Sequence, residues 1–427
     1  MNPYTGALEF VQADVDLPGS SLLEVALVRK RIAVRDPMIS GQFGDWDLEV
    51  PYIGGTFSGA KGWVDFEGAM ARCTRYGPPP NHYLNGVSFW YAEEFWQGTF
   101  LSLPNIAVQE VLRRGTNNSN AQTDGNAYPL LTRDGWQIRC LPGIANGLGE
   151  GFVAVSPQGA QYRFDWLASR ALAPLQDGTG ATMARHEVRL FASQVTDRFG
   201  NTVRYRFDTT NPWRLLRVEG SDGRFIGIAH TTVAGKSRVA SATDGVRTWL
   251  YGYSGQGVLE RVTLPDGSAW RFALGGLYYP YTNQLGEGAS CDYGGLWPTD
   301  TLFGQITHPS GGVGNFGMTY VSHARNKVWR LCVDKHPPLV LSEDPGFITG
   351  YARWPKQFVS LTLASKTLSG PGLANQTWIY SYPSGKGTWD PCTTCPDSKA
   401  VLVTDPRGVV TRHVFGNQFH TKLRSID

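Results

Sequence analysis

The sequence predicts an all-β protein: repeated antiparallel β-hairpins forming a long curved sheet. Three observations carry this. First, residues 195–274 are written in a regular beat, with turn glycines Gly200, Gly223, Gly245 and Gly267 at separations of 23, 22 and 22 residues. A fixed period in the twenties marks a repeat architecture. Second, apolar residues follow each glycine at every second place. After Gly200 these are Val203, Tyr205 and Phe207, with Thr202, Arg204 and Arg206 opposite; after Gly267 they are Trp270, Phe272 and Leu274. Period-two alternation of aromatic and β-branched residues reads as strand. Third, no long stretch has a helical period, while 51 Gly and 26 Pro are spread along the chain as many turns require. A lone hairpin is marginal in water, so consecutive units must pair side by side to bury their apolar faces.

Taken in order, residues 1–50 read as strands around a Leu17-Pro18-Gly19 turn. Residues 51–130 are rich in Gly, Pro, Asn and aromatics without a repeat, and Ile106–Arg114 fits either helix or strand. Tyr128–Cys140 and Gly151–Trp166 read as hairpins, the second with Gly159 followed by Tyr162, Phe164 and Trp166. Residues 171–185 (ALAPLQDGTGATMAR) read as a surface loop or weak linker. In the repeats, the strands Leu215–Val218 and Leu259–Val262 lead into Ser221-Asp222-Gly223 and Pro265-Asp266-Gly267. There Gly supplies positive φ and Asp bonds its own backbone. The Gly245 copy is one residue out of register, with Trp249, Tyr251 and Tyr253 aligned, so a bulge is expected. Residues 275–300 read as an inserted loop, and Gly311 restores the beat with Phe316, Met318 and Tyr320. Residues 321–400 fit the beat poorly and include an insertion near 383–398; Gly408 opens a last copy with Thr411, His413 and Phe415. The expected division is an N-terminal β region at 1–190 and a hairpin array at 191–427.

The pattern V-T-D-x-x-G-x-x-x-x-Y-x-F-D, with Phe207-Asp208 in place of a Tyr-Asp pair, resembles the RHS or YD-repeat unit of bacterial RHS proteins, toxin-complex shell subunits and teneurins. The start of the chain is also similar to that of bacterial RHS chains. It has an N-P-x-T-G opening, then Leu17-Pro18-Gly19, the basic Arg29-Lys30-Arg31 strand and Gly41-Gln42-Phe43-Gly44-Asp45-Trp46. Several copies lack the Tyr-Asp pair, and 275–300 and 321–400 depart from the pattern. The resemblance implies that the sheet winds into a cocoon-like shell around a toxin, either a downstream domain or a separate partner. It further implies secretion or cell-surface display. Family shells are longer, and Ser425-Ile426-Asp427 stands where a strand would enter another turn, so a truncated fragment of a longer shell is expected.

The formal net charge of +3 gives no electrostatic case for nucleic acid or an anionic membrane. No apolar run reaches transmembrane length and no signal peptide is visible.

Few side chains point to chemistry. Asp45, Asp47 and Glu49 alternate and would share one strand face, as a carboxylate pair or a cation site requires; the plainer expectation is a solvated face beside a buried Trp46. Glu93 and Glu94 sit among aromatics (FWYAEEFWQGTF), as at a glycosidic site, or simply on a turn beside packed rings. Cys392-Thr-Thr-Cys395 is half a zinc site or a loop disulfide, and no second metal-binding pair follows. Asp405-Pro406 is similar to the aspartyl self-cleavage stretch of some RHS cores, against a plain Asp-Pro turn. His230 and His413 occupy repeat apolar places, and no nucleophile–base pair assembles. The expected function is therefore structural: a shell segment, not an enzyme, with no cofactor and no bound metal. Its partners would be the toxin cargo and the remaining YD-repeat shell. Turn glycines Gly159, Gly200, Gly223, Gly245, Gly267, Gly311 and Gly408 would set strand reversal. A cell-surface carbohydrate-binding or adhesion module is the alternative, since 14 Trp and 18 Tyr suit sugar stacking; a β-rich glycosidase is the third.

Overall fold

The fold is that of a computed structural model. It describes residues 1–19, 21, 23–32, 41–84, 88–115, 124–176, 181–277, 299–329, 332–334, 350–352, 356–383, 385, 387–418 and 423–426. The chain is all-β, and among the described residues one short helix, α1 (Ala92–Phe95), interrupts the strands.

Beside two small two-stranded sheets, His82–Leu84 with Ser88–Trp90 and Cys332–Asp334 with Gly350–Ala352, three larger assemblies follow one another among the described residues. An antiparallel sheet of β1 (Glu9–Leu17), β2 (Val25–Ile32) and β3 (Trp46–Leu48) comes first. A closed ring follows, of β4 (Tyr52–Ser58), β5 (Phe100–Leu103), β6 (Ile106–Arg113), β7 (Leu130–Thr132), β8 (Gln137–Leu141), β9 (Gly151–Val155), β10 (Gln161–Gln176) and β11 (Thr182–Thr196). Each pairs with the next, and Arg185–Phe191 of β11 pairs back onto β4 to close it. Its interior is filled by side chains, among them Ile53, Leu101, Ile138, Phe152, Phe164 and Leu190, capped by Trp63 and Tyr76. Filling by side chains is the state expected of a barrel this small.

The array grows from the far end of the same strand. Gln194–Thr196 of β11 leave β4 and pair with β12 (Thr202–Phe207). Strands then follow in chain order: β13 (Leu215–Gly220), β14 (Phe225–Val233), β15 (Lys236–Thr243), β16 (Thr248–Tyr253), β17 (Leu259–Thr263) and β18 (Ala269–Ala273). They continue through β19 (Leu302–Thr307), β20 (Val313–Ala324), β21 (Gln357–Gly370), β22 (Leu373–Ser381), β23 (Ser398–Thr404), β24 (Val410–Gly416) and β25 (Leu423–Ile426). Ile106–Arg113 is strand, which resolves its ambiguity.

One turn recurs. At Gly159, Gly200, Gly223, Gly267, Gly311 and Gly408 the connection has five residues with Gly fourth and φ between 82° and 89°. The Gly N–H donates to the first carbonyl at 2.9–3.1 Å, and the first N–H donates to the fifth carbonyl at 2.7–3.0 Å. This is a type I turn completed by a left-handed residue, which tolerates Gly best. Gly257 and Gly135 build the same turn, although the period does not announce them.

Gly245 differs. Thr243 pairs directly with Thr248, leaving a four-residue connection. The strand pair β15–β16 is regular, so the one-residue offset at the turn is absorbed within the turn itself. The expected bulge of this copy lies on the other edge of Thr248–Tyr253, between Gly252 and Tyr253. One correction concerns 171–185. Instead of a surface loop or linker, β10 runs to Gln176 and β11 starts at Thr182, as one long hairpin. Its alternation is hard to read because much of β11 is buried on both faces.

Because the strands are antiparallel, the turns at Gly159, Gly200, Gly223, Gly245, Gly267, Gly311 and Gly408 fall on one rim of the sheet and that at Gly257 on the other. The long connections 274–301, 325–356 and 382–397 all leave from that other rim. The inserted loop read at 275–300 lies outside the described residues over 278–298.

Candidate functional site: the filled inner face of the array

The residues with chemical potential gather where the first sheet meets the array. The inward side chains of β12–β21, including Phe207, Ile226, Tyr251, Val262, Phe272 and Met318, form one apolar cluster with Val15, Leu17, Val25, Leu27, Trp46 and Leu48 of the first sheet. The array thus curves over β1–β3, and the chain supplies its own filling. Gly41–Trp46 is the docking element. Gln42 accepts the Val239 N–H at 2.9 Å, Asp45 Oδ1 accepts the Leu259 N–H at 3.1 Å, and Phe43 packs on Tyr251 at 4.8 Å between ring centroids. A side chain at Gly44 would run into the Gly257 carbonyl, so only glycine lets these two turns approach.

Trp46 is buried, and its ring lies 5.2 Å from that of Phe272. The acids around it are not solvated, which corrects the expected solvated face. Asp45 pairs with Arg31 at 2.9 Å, and Arg31 also donates to the carbonyls of Leu274 and Leu277 at the root of the 274–301 connection. Asp47 receives Arg170 at 2.8 Å and Arg189 at 3.1 Å, and Glu187 receives the same two arginines at 2.7 and 2.6 Å. Burial by itself would pull the Arg189 guanidinium down, but Glu187, Tyr52 and Asp47 outweigh it and hold it above its ordinary value. Tyr52 lies 4.0 Å beneath Arg189, and Trp213 lies 4.3 Å from Arg170. Burial raises the Glu49 carboxyl, partly offset by Lys30 and Arg189. Asp45 and Asp47, held by arginines, act as an electrostatic clamp between first sheet, barrel and array.

A second buried pair, Asp14–Arg29 at 2.7 Å, sits deeper. Arg29 is sandwiched 4.3 Å from Trp46 and 4.7 Å from Phe272. Burial pushes the Asp14 carboxyl up, and Arg29 pulls it back.

The remaining candidates lie apart. Glu94 caps α1 by accepting the Tyr91 N–H at 2.8 Å, and the neighbouring Trp90 and Phe95 are core. Cys392 and Cys395 are joined as a disulfide in the 382–397 connection; a second disulfide, Cys73–Cys140, ties the barrel's capping segment to β8. Asp405 stands first in the recurrent turn and accepts the Arg407 and Val409 N–H groups at 2.9 Å, as a plain Asp-Pro turn does. His230 is half-buried with Nε2 2.9 Å from the Leu215 carbonyl, and burial lowers its pKa. His413 lies on β24 opposite Val401.

Sequence reasoning passed over Arg170, Glu187 and Arg189. The signal was present as Arg185, Glu187 and Arg189 at alternate places, starting at the last residue of the 171–185 stretch read as a loop or linker.

No known protein family matches the chain, and no curated protein matches it. Among solved structures, the crystal structure of TcdB2-TccC3-Cdc42 overlays it with a TM-score of 0.31 and 9% identity, over 100% of this chain and 29% of that one. The crystal structure of TcdB2-TccC3 gives 0.32 and 10%, over 99% and 30%. The chain thus spans about three tenths of the length of those chains.

Proposed function

We propose that this chain is a structural segment of an RHS/YD-repeat shell that encapsulates or presents a toxin for delivery to other cells. The observation that carries the reading is the array itself: a continuous curved wall whose inner face is apolar and is filled over β12–β21 by the chain's own first sheet. A wall plugged this way is closed where it starts, so a cargo would have to lie against later strands. On this reading the barrel and first sheet, about 1–190, form the closed end, and 191–427 forms wall, with Gly159 setting a strand reversal in the barrel and the other six turn glycines those of the wall. Further YD-repeat hairpins would continue from β25, and the cargo would be a downstream domain or a separate toxin. Secretion or surface display belongs to the same proposal, as does a purely structural role without catalysis or cofactor. Among the described residues no helix is long and apolar enough to cross a membrane.

The test is protease protection of the polypeptide encoded by the complete reading frame. A cargo fragment that survives digestion inside the intact polypeptide, and is degraded once cut free and purified, supports the reading. Equal degradation in both states overturns it. The glycan-binding alternative draws on Tyr83 and Trp329, each 65% exposed. A glycan array that lights up, and goes dark on Tyr83→Ala and Trp329→Ala, would favour it instead.

A further inference from the structure

At the far end of the array, a cluster separate from the clamp holds the amino-terminal segment. Asn2 accepts the Tyr4 and Thr5 N–H groups on its side-chain oxygen, and Gly6 donates to the Asn2 carbonyl, so 2–7 is a compact turn. It docks on β21. Leu363 N–H donates to the Gly6 carbonyl at 3.0 Å, and the Ser360 and Thr362 hydroxyls donate to the Thr5 carbonyl at 2.8 and 2.9 Å. Tyr4 enters the apolar group of Val401, Phe415, Phe358 and Tyr382.

Behind Ser360 stands fully buried His323 of β20, with Nε2 2.7 Å from the Ser360 hydroxyl and Nδ1 3.2 Å from Lys399 Nζ of β23. The polarity of this chain is forced. An ammonium only donates, so Nδ1 accepts and Nε2 carries the hydrogen. Ser360 accepts from Nε2, and its own hydrogen goes to Thr5. A second proton on His323 would point Nδ1–H at an ammonium with nothing to accept it. The other charged or titratable groups around the cluster are Tyr4 beneath Lys399 at 3.5 Å, Tyr382, Arg325 and, on β24, His413. Among the described residues neither His323 nor Lys399 has a carboxylate partner.

We infer that Asn2–Ala7 is an acid-released latch, held on β21 while His323 is neutral and freed when a proton enters the Lys399–His323–Ser360 chain. Burial first, and Lys399 second, lower His323 to about 4, against a smaller opposing pull from the Thr5 backbone. The sign follows: a histidine depressed in the folded, docked state contributes fully above its ordinary value near 6.5, and that contribution is lost as pH falls from there toward about 4. The part of it that docking supplies through burial is what acid removes from the latch. Burial brings Lys399 down to about 8, so it is largely charged at neutral pH and the repulsion is in place when acid arrives. The inference does not depend on the shell reading.

The test is hydrogen–deuterium exchange on the full chain at about pH 7 and pH 4.5, with labelling times scaled to the chemical exchange rate. Expected is a loss of protection on the order of tenfold or more for 2–7 and Leu363 at the lower pH, while β9 keeps its protection. His323→Gln should cut that loss to about threefold or less, and Lys399→Met should reduce it measurably, since burial still acts on His323 once the ammonium is gone. If His323→Gln does not fold, Lys399→Met decides alone. Unchanged protection of 2–7, a loss shared equally by β9, or an undiminished loss in the folded variants would each overturn the latch.

Discussion

The barrel and the array are built from the same hairpin and the same turn, yet they solve the problem of a sheet edge and an apolar face differently. The barrel closes on itself through β11 and β4, and its core comes from residues within its own stretch of chain. The array does not close. Its inner face is covered by β1–β3, which end at Leu48, far upstream of β12 at Thr202. One strand, β11, serves both, pairing with β4 along its first half and with β12 at its end. Curvature is therefore common to both regions, whereas closure depends on which segment reaches the open face first.

This contrast can be broken experimentally. The largest effect should come from the clamp: Asp47→Ala leaves Arg170 and Arg189 buried with one carboxylate fewer and should cost about 3–5 kcal/mol. Exchange should show array strands β12–β18 loosening before the barrel interior. Equal loosening of both would mean that the first sheet is no separate filling. Reduction of the disulfides comes next. Cys73–Cys140 closes a separation of 67 residues and Cys392–Cys395 one of 3. Chain-entropy reasoning gives about 4 against about 2 kcal/mol. In urea unfolding of Cys73→Ser and Cys392→Ser, the barrel variant should lose more.

Turn glycines should matter equally in both regions. Gly159→Ala in the barrel and Gly267→Ala in the array each force a left-handed alanine with no close contact to relieve, at about 1–2 kcal/mol. Gly252→Ala, within β16 and with its nearest neighbour at 3.6 Å, is the mild control. The smallest effect is acid sensitivity. Hydrogen bonds in and around the turns hold Asp208 and Asp244 near about 2 in the array, whereas the barrel's Gly159 turn opens with Ser156 and titrates nothing there. A depressed carboxylate stabilises above its ordinary value and loses that contribution as pH falls toward about 2. Exchange between pH 4 and 2 should open the array's turns before the Gly159 turn.

Much of the fold can be read from residue order. The beat of Gly200, Gly223 and Gly267 and the alternation after each specify a hairpin and its turn, because both depend on groups only a few residues apart. The offset at Gly245 was also visible, but whether a turn or a bulge absorbs it depends on the pairing of Thr243 with Thr248. The clamp was half legible: Asp45, Asp47 and Glu49 stood out and Asp45 pairs with nearby Arg31, while the arginine partners of Asp47 lay more than a hundred positions away, where alternation fades.

Local order settles that this chain makes ribbons, where most of them bend, and which side of each ribbon is apolar. It does not settle that Arg185–Phe191 would choose β4, or that Gly41–Trp46 would enter the curve of β15–β17. An exposed strand edge and an apolar face accept any partner of matching shape and hydrogen-bonding pattern, so a period of two names the face to be covered without naming its cover. That choice was made by the competition among distant segments in the folded chain, where Gly44 could approach Gly257 and the buried arginines could find their acids.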